Sequence, residues 1–196
     1  MTIAATAFAL LACVATPAHS RGSGVMFANV GFAKLLEDGA PSGSVGLGIG
    51  VTYQPAASSF GYGAEISYLN LGTVNQTVRF TAGEAYAEVS VRVVPVTAQI
   101  SYRLPRSRTL QPYVNAGAGI YATTTKQSAQ ALNPDDSTFG TRQDTVTDAG
   151  MNVGGGVAFG RRETGLTIGF DSKLHVIFSD GGSSTIVTFG ARIFFD

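Results

Sequence analysis

Residues 166–178, LTIGFDSKLHVIF, alternate between apolar side chains and small or polar ones. A period of two places successive side chains on opposite faces of a β-strand, whereas a helix repeats every three or four residues. One face carries Asp171, Lys173 and His175, and the other is apolar except for Ser172. The stretch therefore predicts a strand that separates two different environments. The apolar face consists of Leu166, Ile168, Phe170, Leu174, Val176 and Phe178.

The same alternation recurs in seven further segments, which predicts an all-β chain of eight antiparallel strands. Most of these strands have about 9 to 14 residues, whereas strands of soluble domains average about five or six. Crossing a bilayer on a tilt takes about 9 to 11 residues. The further segments lie at residues 25–33, 44–53, 60–70, 84–104, 111–123, 148–159 and 187–196.

The segment at residues 84–104 changes phase along its length. Val89 and Val91 are apolar at odd positions, whereas Val94 and Val96 are apolar at even positions. The change falls beside Pro95, which cannot donate a hydrogen bond to a neighbouring strand. A β-bulge shifts the alternation by one residue, so a bulge is predicted next to Pro95.

The connections between the predicted strands differ in length on the two sides of the sheet. Long connections at residues 35–43, 72–84 and 126–147 alternate with short ones, although the last connection, near Asp180, is short. Transmembrane barrels have short periplasmic turns and longer external loops. The three long connections are therefore predicted to form an external surface.

The composition excludes several classes of protein. Charged residues make up 13% of the 196 residues, about half the usual share, while the apolar content is an ordinary 44%. The formal net charge is zero, so no broad basic surface indicates nucleic-acid binding. Beyond residue 20, no stretch approaches the roughly 20 consecutive apolar residues of a membrane-spanning helix. A membrane location would therefore have to use strands.

Residues 1–20 predict a secretory signal peptide, followed by one barrel domain at residues 21–196. An apolar stretch precedes Ala18-His19-Ser20, whose small residues suit a signal peptidase. Cleavage would remove Cys13, the only cysteine, which suits export to an oxidising compartment. The residues around Cys13 also resemble a lipobox, so lipidation of Cys13 is the alternative.

The less apolar face of the strands indicates which side meets lipid. It is dominated by glycine with a few charges of both signs, whereas a water-facing exterior would be rich in Lys, Glu and Thr. Glycine relieves crowding inside a narrow eight-stranded barrel. The apolar rows are therefore predicted to face lipid, and a soluble lipocalin-like barrel with reversed faces is the alternative. Predicted girdle residues near the strand ends are Tyr53, Tyr62, Tyr68 and Tyr102.

The C-terminal residues 188–196, TFGARIFFD, resemble the assembly signal of bacterial outer-membrane barrels. The resemblance rests on Thr188, Gly190, Ile193 and Phe195, although Asp196 follows the aromatic residue. From about residue 24 the chain resembles the small outer-membrane β-barrel proteins related to the OmpA barrel and OmpX. The resemblance implies an eight-stranded antiparallel up-and-down transmembrane β-barrel in the cell outer membrane. It also implies a monomer that is assembled by the barrel-assembly machinery and contacts outer-membrane lipids and lipopolysaccharide.

Charged residues on the inward face predict a lumen charge network, because buried charges have to pair in a narrow barrel. A narrow ion path through the lumen is the alternative interpretation. The predicted members of the network are Glu65, Glu88, Arg92, Arg103, Asp171, Lys173, His175 and Arg192.

Other patterns indicate no chemistry. Asp171, His175 and Ser179 suggest a hydrolase triad, but Asp171 and His175 lie about 13 Å apart along one strand, too far for a charge-oriented base. The glycine repeats lack the strand, turn and helix of a phosphate-binding loop. The acids at residues 133–137 are expected to be solvated rather than bound to a cation. The sequence therefore predicts no catalytic residue, no cofactor and no metal site.

The predicted function is structural or interactional. The protein would maintain the integrity of the envelope or contact other surfaces through the three long connections. Its lumen is predicted to be mostly filled by side chains. One alternative is a narrow channel or carrier for small solutes or apolar molecules, and a second is a lipid A-modifying enzyme. The fold alone does not decide among these functions.

Overall fold

A computed structural model describes residues 22–56, 58–80, 83–105, 110–131, 140–159 and 166–195. Within these ranges eight antiparallel strands form a closed barrel, in which each strand pairs with its sequence neighbours and β1 pairs with β8. The predicted fold is thereby confirmed, while the predicted signal segment at residues 1–20 lies outside the described residues. No described helix is long and apolar enough to cross a bilayer. The strands are β1 (Ser23–Leu35), β2 (Ser44–Gln54), β3 (Phe60–Phe80), β4 (Gly83–Arg103), β5 (Leu110–Ala131), β6 (Thr141–Phe159), β7 (Leu166–Ser179) and β8 (Gly182–Phe195).

Polar side chains face the lumen and apolar side chains face outward over most of the barrel. Glu65 and Arg192 are each 4% exposed, whereas Phe170 is 62% exposed. A soluble barrel would reverse this distribution, so the predicted orientation is confirmed. On β7 the outward apolar row runs from Leu166 to Phe178, about 40 Å along the strand. At a tilt of about 45° this row spans about 28 Å, close to the thickness of the hydrocarbon core.

Outward aromatic residues pair near the end of the barrel that carries both chain termini. The rings of Tyr53 and Tyr62 are 5.3 Å apart, and those of Phe60 and Tyr102 are 4.8 Å apart. Tyr68 lies six residues beyond Tyr62 along β3, toward the opposite side of the membrane region, and is 41% exposed. All four predicted girdle tyrosines therefore lie on the outer face, where interfacial aromatic residues of barrels are found.

Four consecutive strands extend well beyond the others. The strands β3 to β6 have 19 to 22 residues, whereas the other four have 11 to 14. Pairing of β3 with β2 ends at Leu69, and pairing of β6 with β7 ends at Ala149. Beyond these residues the four strands continue as a sheet with two edges that are free of strand pairing within the described residues. We call residues 72–80, 83–92, 124–131 and 141–148 the protruding sheet.

The structure corrects two of the predicted loops. The connection between β1 and β2 spans residues 36–43, as expected, but most of residues 72–84 and 126–147 belongs to strands. The second segment lacks an apolar row, and in the first Gln76 interrupts the row of Val74, Val78 and Phe80. The prediction relied on uninterrupted apolar alternation. The asymmetry between the two ends of the barrel therefore comes mainly from strand length rather than loop length.

The β-bulge lies in β3 and not beside Pro95. The register between β3 and β4 shifts between Asn70 and Gly72, whereas β4 pairs with β5 without interruption through Pro95. Gly72 has a φ of 98°, a conformation that favours glycine. Its N–H donates a hydrogen bond of 3.1 Å to Asn70 Oδ1. The predicted bulge beside Pro95 is therefore wrong.

The change of phase in β4 has a different cause. Val94 and Val96 point outward in the membrane region, whereas Val93 points into the lumen and is 1% exposed. Farther along β4 the outer face carries Glu88 and Arg92, both exposed. The alternation of side chains is unbroken, but the apolar row changes sides where the strand enters the protruding sheet.

Candidate functional site in the barrel lumen

Charged side chains from three strands meet at one level of the lumen. Glu65 comes from β3, Asp171 and Lys173 from β7, and Arg192 from β8; we call these four residues the charge cluster. Several of their neighbours across the strands are glycines, which leave room for long side chains in a narrow barrel. The glycines paired with Asp171 or Lys173 are Gly154, Gly156 and Gly190.

Glu65 is the centre of the charge cluster. Its Oε2 atom lies 2.5 Å from Lys173 Nζ and 3.3 Å from Arg192 Nη2. The Glu65 side chain is 5% exposed, so these charge-assisted contacts offset the cost of burying a carboxylate. Neutral donors complete its surroundings: Asn29 at 3.2 Å, Ser67 at 3.0 Å and Gln99 at 3.0 Å.

Arg192 links the second carboxylate to the cluster. Its Nη2 atom lies 2.6 Å from Asp171 Oδ2 in an ion pair, and its guanidinium carbon lies 4.2 Å from the centre of the Phe27 ring. A cation over an aromatic face gains further stabilisation in a dry site. Two acids and two bases leave the cluster without net charge. Such paired charges can be accommodated at this level of the lumen because each acid has a base beside it.

His175 lies one step farther along the lumen. Its Nδ1 atom is 3.2 Å from the Tyr121 hydroxyl, and its Nε2 atom is 3.4 Å from Thr188 Oγ1. Asn152 donates a hydrogen bond of 3.4 Å to the Tyr121 hydroxyl. Since Asp171 pairs with Arg192 instead of His175, these two residues do not form the acid–base pair of a hydrolase triad.

An apolar layer closes the lumen between His175 and the protruding sheet. Ile186 is 0% exposed, and Leu71 is 1% exposed. A close-packed apolar constriction offers neither ions nor water a polar path. The layer consists of Ala33, Leu69, Leu71, Val93, Tyr121, Ile177 and Ile186.

A cavity of about 260 Å³ lies on the far side of the apolar layer, toward the protruding sheet. We call it the outer cavity. Its lining includes Val91 and Val146 as well as the side of the apolar layer formed by Leu71, Ile177 and Ile186. The barrel therefore has a closed lumen with a recess at one end.

Sequence reasoning missed the apolar layer and the outer cavity. Leu69, Ile177 and Ile186 are apolar residues in inward rows that consist mostly of glycine and polar residues. All three lie at the end of the membrane region that faces the protruding sheet. This coincidence was the available signal, but it could be read only once the strand register was known.

Four predicted members of the charge network lie outside the charge cluster, and one of them, His175, lies farther along the lumen beside Tyr121. Glu88 and Arg92 are exposed on the outer face of β4, so their assignment to the lumen is wrong. The error followed from the assumed bulge, which would have exchanged the two faces. Arg103 is half-buried on the inward row of β4, about 20 Å farther along the strand than Thr97, the partner of Glu65.

The predicted assembly signal forms the end of the closing strand, β8. Thr188 and Gly190 lie on the inward row, whereas Ile193 and Phe195 point outward and are 36% and 47% exposed. Phe195 pairs with residues of both β1 and β7, so the end of the signal lies where the barrel closes. Recognition of these residues during assembly stays a prediction.

The described residues include no group of three or more His, Cys, Asp or Glu side chains arranged to hold a metal ion. Residues 133–137, considered above as a cation loop, and Cys13, considered as a lipidation site, lie outside the described residues.

A closed antiparallel barrel with an apolar exterior and a charged, buried lumen is the architecture of an integral outer-membrane β-barrel protein. Residues 4–193 match the family described as outer membrane protein beta-barrel domain, and the chain belongs to this family. Fold and family place the chain in the outer membrane. A search of curated proteins found no match to the sequence.

Solved structures show the same architecture. Neisserial surface protein A has a TM-score of 0.63 and 11% sequence identity, with 89% of this chain and 97% of that chain covered. A major outer membrane protein from Thermus thermophilus has a TM-score of 0.50 and 12% identity, covering 89% of this chain and 100% of that chain. At these identities the similarity shows the fold alone.

Proposed function

We propose that this protein is a non-conducting outer-membrane barrel that binds an extracellular polypeptide at the protruding sheet. The observation that carries the proposal is the extension of four strands beyond their neighbours, which leaves free edges on β3 and β6. A free edge presents backbone N–H and C=O groups with which an extended segment of another chain can pair. On the β6 edge, residues 141–147 are all exposed.

The chemistry of the protruding sheet supports a selective interaction. Thr124 and Thr145 face each other across β5 and β6, with their hydroxyl oxygens 3.0 Å apart. On the β6 edge, Arg142 and Asp144 form an exposed ion pair of 2.7 Å. Charges on an edge strand oppose indiscriminate pairing. A partner strand would therefore need side chains that complement the edge as well as a free backbone.

Peptide selection against the intact protein in lipid nanodiscs tests this proposal. A display library of extended peptides would be panned against the full chain and against a shortened chain. In the shortened chain, residues 75–88 and 125–144 are each replaced by Asn-Gly, which suits two-residue hairpin turns. We expect selected peptides to bind the full chain and not the shortened one.

Methylation of the peptide backbone separates strand addition from side-chain recognition. Two methylated peptides would be compared, one with N-methyl groups at the odd positions and one at the even positions. Only one of these sets contains the amides that would pair with the edge, so one of the two peptides should lose binding. The proposal would be contradicted if the selected peptides bound the shortened barrel equally well, or if both methylated peptides still bound the full chain. The shortened chain must still show heat-modifiable migration on a gel, which reports a folded barrel.

The closed lumen supports the non-conducting part of the proposal. The charge cluster and the apolar layer block the lumen at two successive levels. We expect the full chain in planar bilayers to give no regular conductance steps. Reproducible single-channel steps that disappear on heat denaturation would favour the ion-path alternative.

We also propose that the protein is a monomer, surrounded by outer-membrane lipids and lipopolysaccharide and inserted by the barrel-assembly machinery. Closure of β1 onto β8 supports the first part, because it leaves no unpaired edge within the membrane region.

A role in envelope integrity is the competing function. It predicts that the shortened chain restores resistance to large antibiotics in cells lacking the protein.

A carrier of small apolar molecules is the second candidate, and the outer cavity favours it. Transport would require the apolar layer to open, whereas binding in the cavity requires no such change.

A further inference from the structure

The outer cavity combines an apolar base with acidic side chains, and we propose that it binds a small organic cation with an apolar body, such as an arylalkylamine. The cavity is lined in part by side chains of the β6 edge strand, Asp144, Val146 and Asp148. A ligand in the cavity would contact these side chains, whereas the polypeptide of the proposed function would pair with the backbone of the edge.

The size and lining of the cavity set the apolar body of the ligand. Its volume is about 260 Å³, whereas a dry cavity of about 150 Å³ already accommodates benzene. Leu71, Ile177 and Ile186 form a tightly buried apolar surface on one side. The cavity therefore has room for one aromatic ring with a short aliphatic chain.

Asp148 of β6 gives the cavity its charge, because the charge of the second lining carboxylate, Asp144, is balanced by Arg142. Asp144 already pairs with Arg142, as described above, and its side chain is 54% exposed. Asp148 also lines the cavity, is half-buried and pairs across the strands with Tyr121 of the apolar layer. Within the described part of the chain, no cation forms an ion pair with Asp148. A ligand ammonium group would supply this counter-charge.

Hydroxyl groups complete a site suited to an ammonium ion. Thr123, Ser179 and Ser184 line the same cavity as Asp148, and each hydroxyl can accept a hydrogen bond. An ammonium group has three N–H donors, so it matches one carboxylate and two neutral acceptors. None of the described lining residues is Lys, Arg or His, and the charge of Arg142, which contacts the lining residue Asp144, is balanced by that carboxylate.

Three probes of similar shape and different charge test the proposal: 2-phenylethylammonium, 2-phenylethanol and 3-phenylpropionate. Binding to the full chain in lipid nanodiscs would be measured by calorimetry, with empty nanodiscs subtracted. We expect the ammonium to bind about tenfold more tightly than the alcohol, since a hydrogen bond to a charged group is worth this much. The carboxylate should bind most weakly.

Paired substitutions assign the charge selectivity. Asp148→Asn should remove the advantage of the ammonium and leave the alcohol unchanged. Asp144→Asn is the matched control and should alter ammonium binding by less than about threefold, because Asp144 is an exposed residue already paired with Arg142. Val91→Phe should fill the cavity and abolish binding of all three probes, while heat-modifiable migration reports an intact barrel.

The proposal is overturned if wild-type protein binds the ammonium and the alcohol equally or binds neither. It is also overturned if Asp148→Asn retains the preference for the ammonium. If that variant does not assemble, unchanged ammonium binding in Val91→Phe would overturn the proposal instead.

Discussion

At the scale of single residues, Glu65 controls the charge balance of the lumen. Replacing Glu65 by Gln leaves Lys173 and Arg192 with Asp171 as the one remaining acid of the cluster, and therefore leaves an uncompensated buried cation. Breaking a buried pair in this way costs about 3–5 kcal/mol. We expect Glu65→Gln to lower the free energy of unfolding by about this amount. Urea titrations in lipid vesicles, followed by circular dichroism, would measure the change.

Glu88 provides the matched control for this experiment. It is an acid in the neighbouring strand, but it is exposed on the outer face. Glu88→Gln should change the stability by less than about 0.5 kcal/mol, as is usual for surface positions. If both variants lost the same stability, the buried ion pairs would not be what distinguishes Glu65.

A second residue-scale prediction concerns the lumen glycines. A Cβ atom added to Gly150 would lie 2.6 Å from Tyr121 Cε2, whereas one added to Gly24 would meet no atom within 4 Å. Overpacking a filled interior costs about 1–3 kcal/mol, so Gly150→Ala should destabilise the barrel by this amount. Gly24→Ala should be neutral or stabilise by up to about 1 kcal/mol. Equal stability of the two variants in the same titration would mean that the lumen is loosely packed.

At the scale of elements, the membrane-embedded strands could be predicted because their two faces meet different surroundings. On β7 the outer face meets lipid and the inner face meets the charge cluster, so the sequence alternates cleanly and the observed strand ends one residue beyond the predicted segment. The first part of β6, residues 141–148, separates water from a cavity lined by both hydroxyl and apolar groups. Neither face there is uniformly apolar, so periodicity gave no signal and only the weaker strand preference of threonine remained.

The candidate site could be predicted in part for the same reason. Glu65 and Arg192 lie in strands whose alternation is uninterrupted, and counting by two places both residues inward. Arg92 lies where the apolar row changes sides, and a change of surroundings looks the same in sequence as a β-bulge. The two causes are distinguished by strand register, which the sequence of one strand does not contain.

The free edges of the protruding sheet lead to an element-scale prediction. Residues 124–128 of β5 pair with strands on both sides, whereas residues 141–147 of β6 pair only with β5. Amides that point to a free edge are open to water, so alternate amides of residues 141–147 should exchange with little protection. Hydrogen exchange in lipid nanodiscs, resolved by residue, would measure this difference. Uniform protection of residues 141–147 would show that the β6 edge is covered.

At the scale of the whole molecule, the surroundings of the barrel change along its axis. In the membrane region lipid lies outside and the charge cluster lies inside, so polar side chains are buried and aromatic side chains are exposed. At one end of that region the apolar layer fills the lumen, and beyond it water lies outside while the outer cavity lies inside. The chain therefore combines an inverted barrel with a small apolar core, and its apolar content lies mainly on the outer face of the barrel.

Assembly of the whole barrel in cells can show whether Phe195 acts through contact with lipid or through recognition of the C-terminal signal. Phe189 and Phe195 both point outward from β8, with exposures of 51% and 47%. Replacing either by Ser removes a similar lipid contact, worth about 1.5–3 kcal/mol, so purified variants should refold into vesicles with similar stability. Only Phe195 belongs to the predicted assembly signal. In cells, Phe195→Ser should therefore lower the amount of heat-modifiable barrel in the outer membrane several-fold more than Phe189→Ser. Equal amounts of the two variants would mean that lipid contact, and not recognition of Phe195, governs assembly.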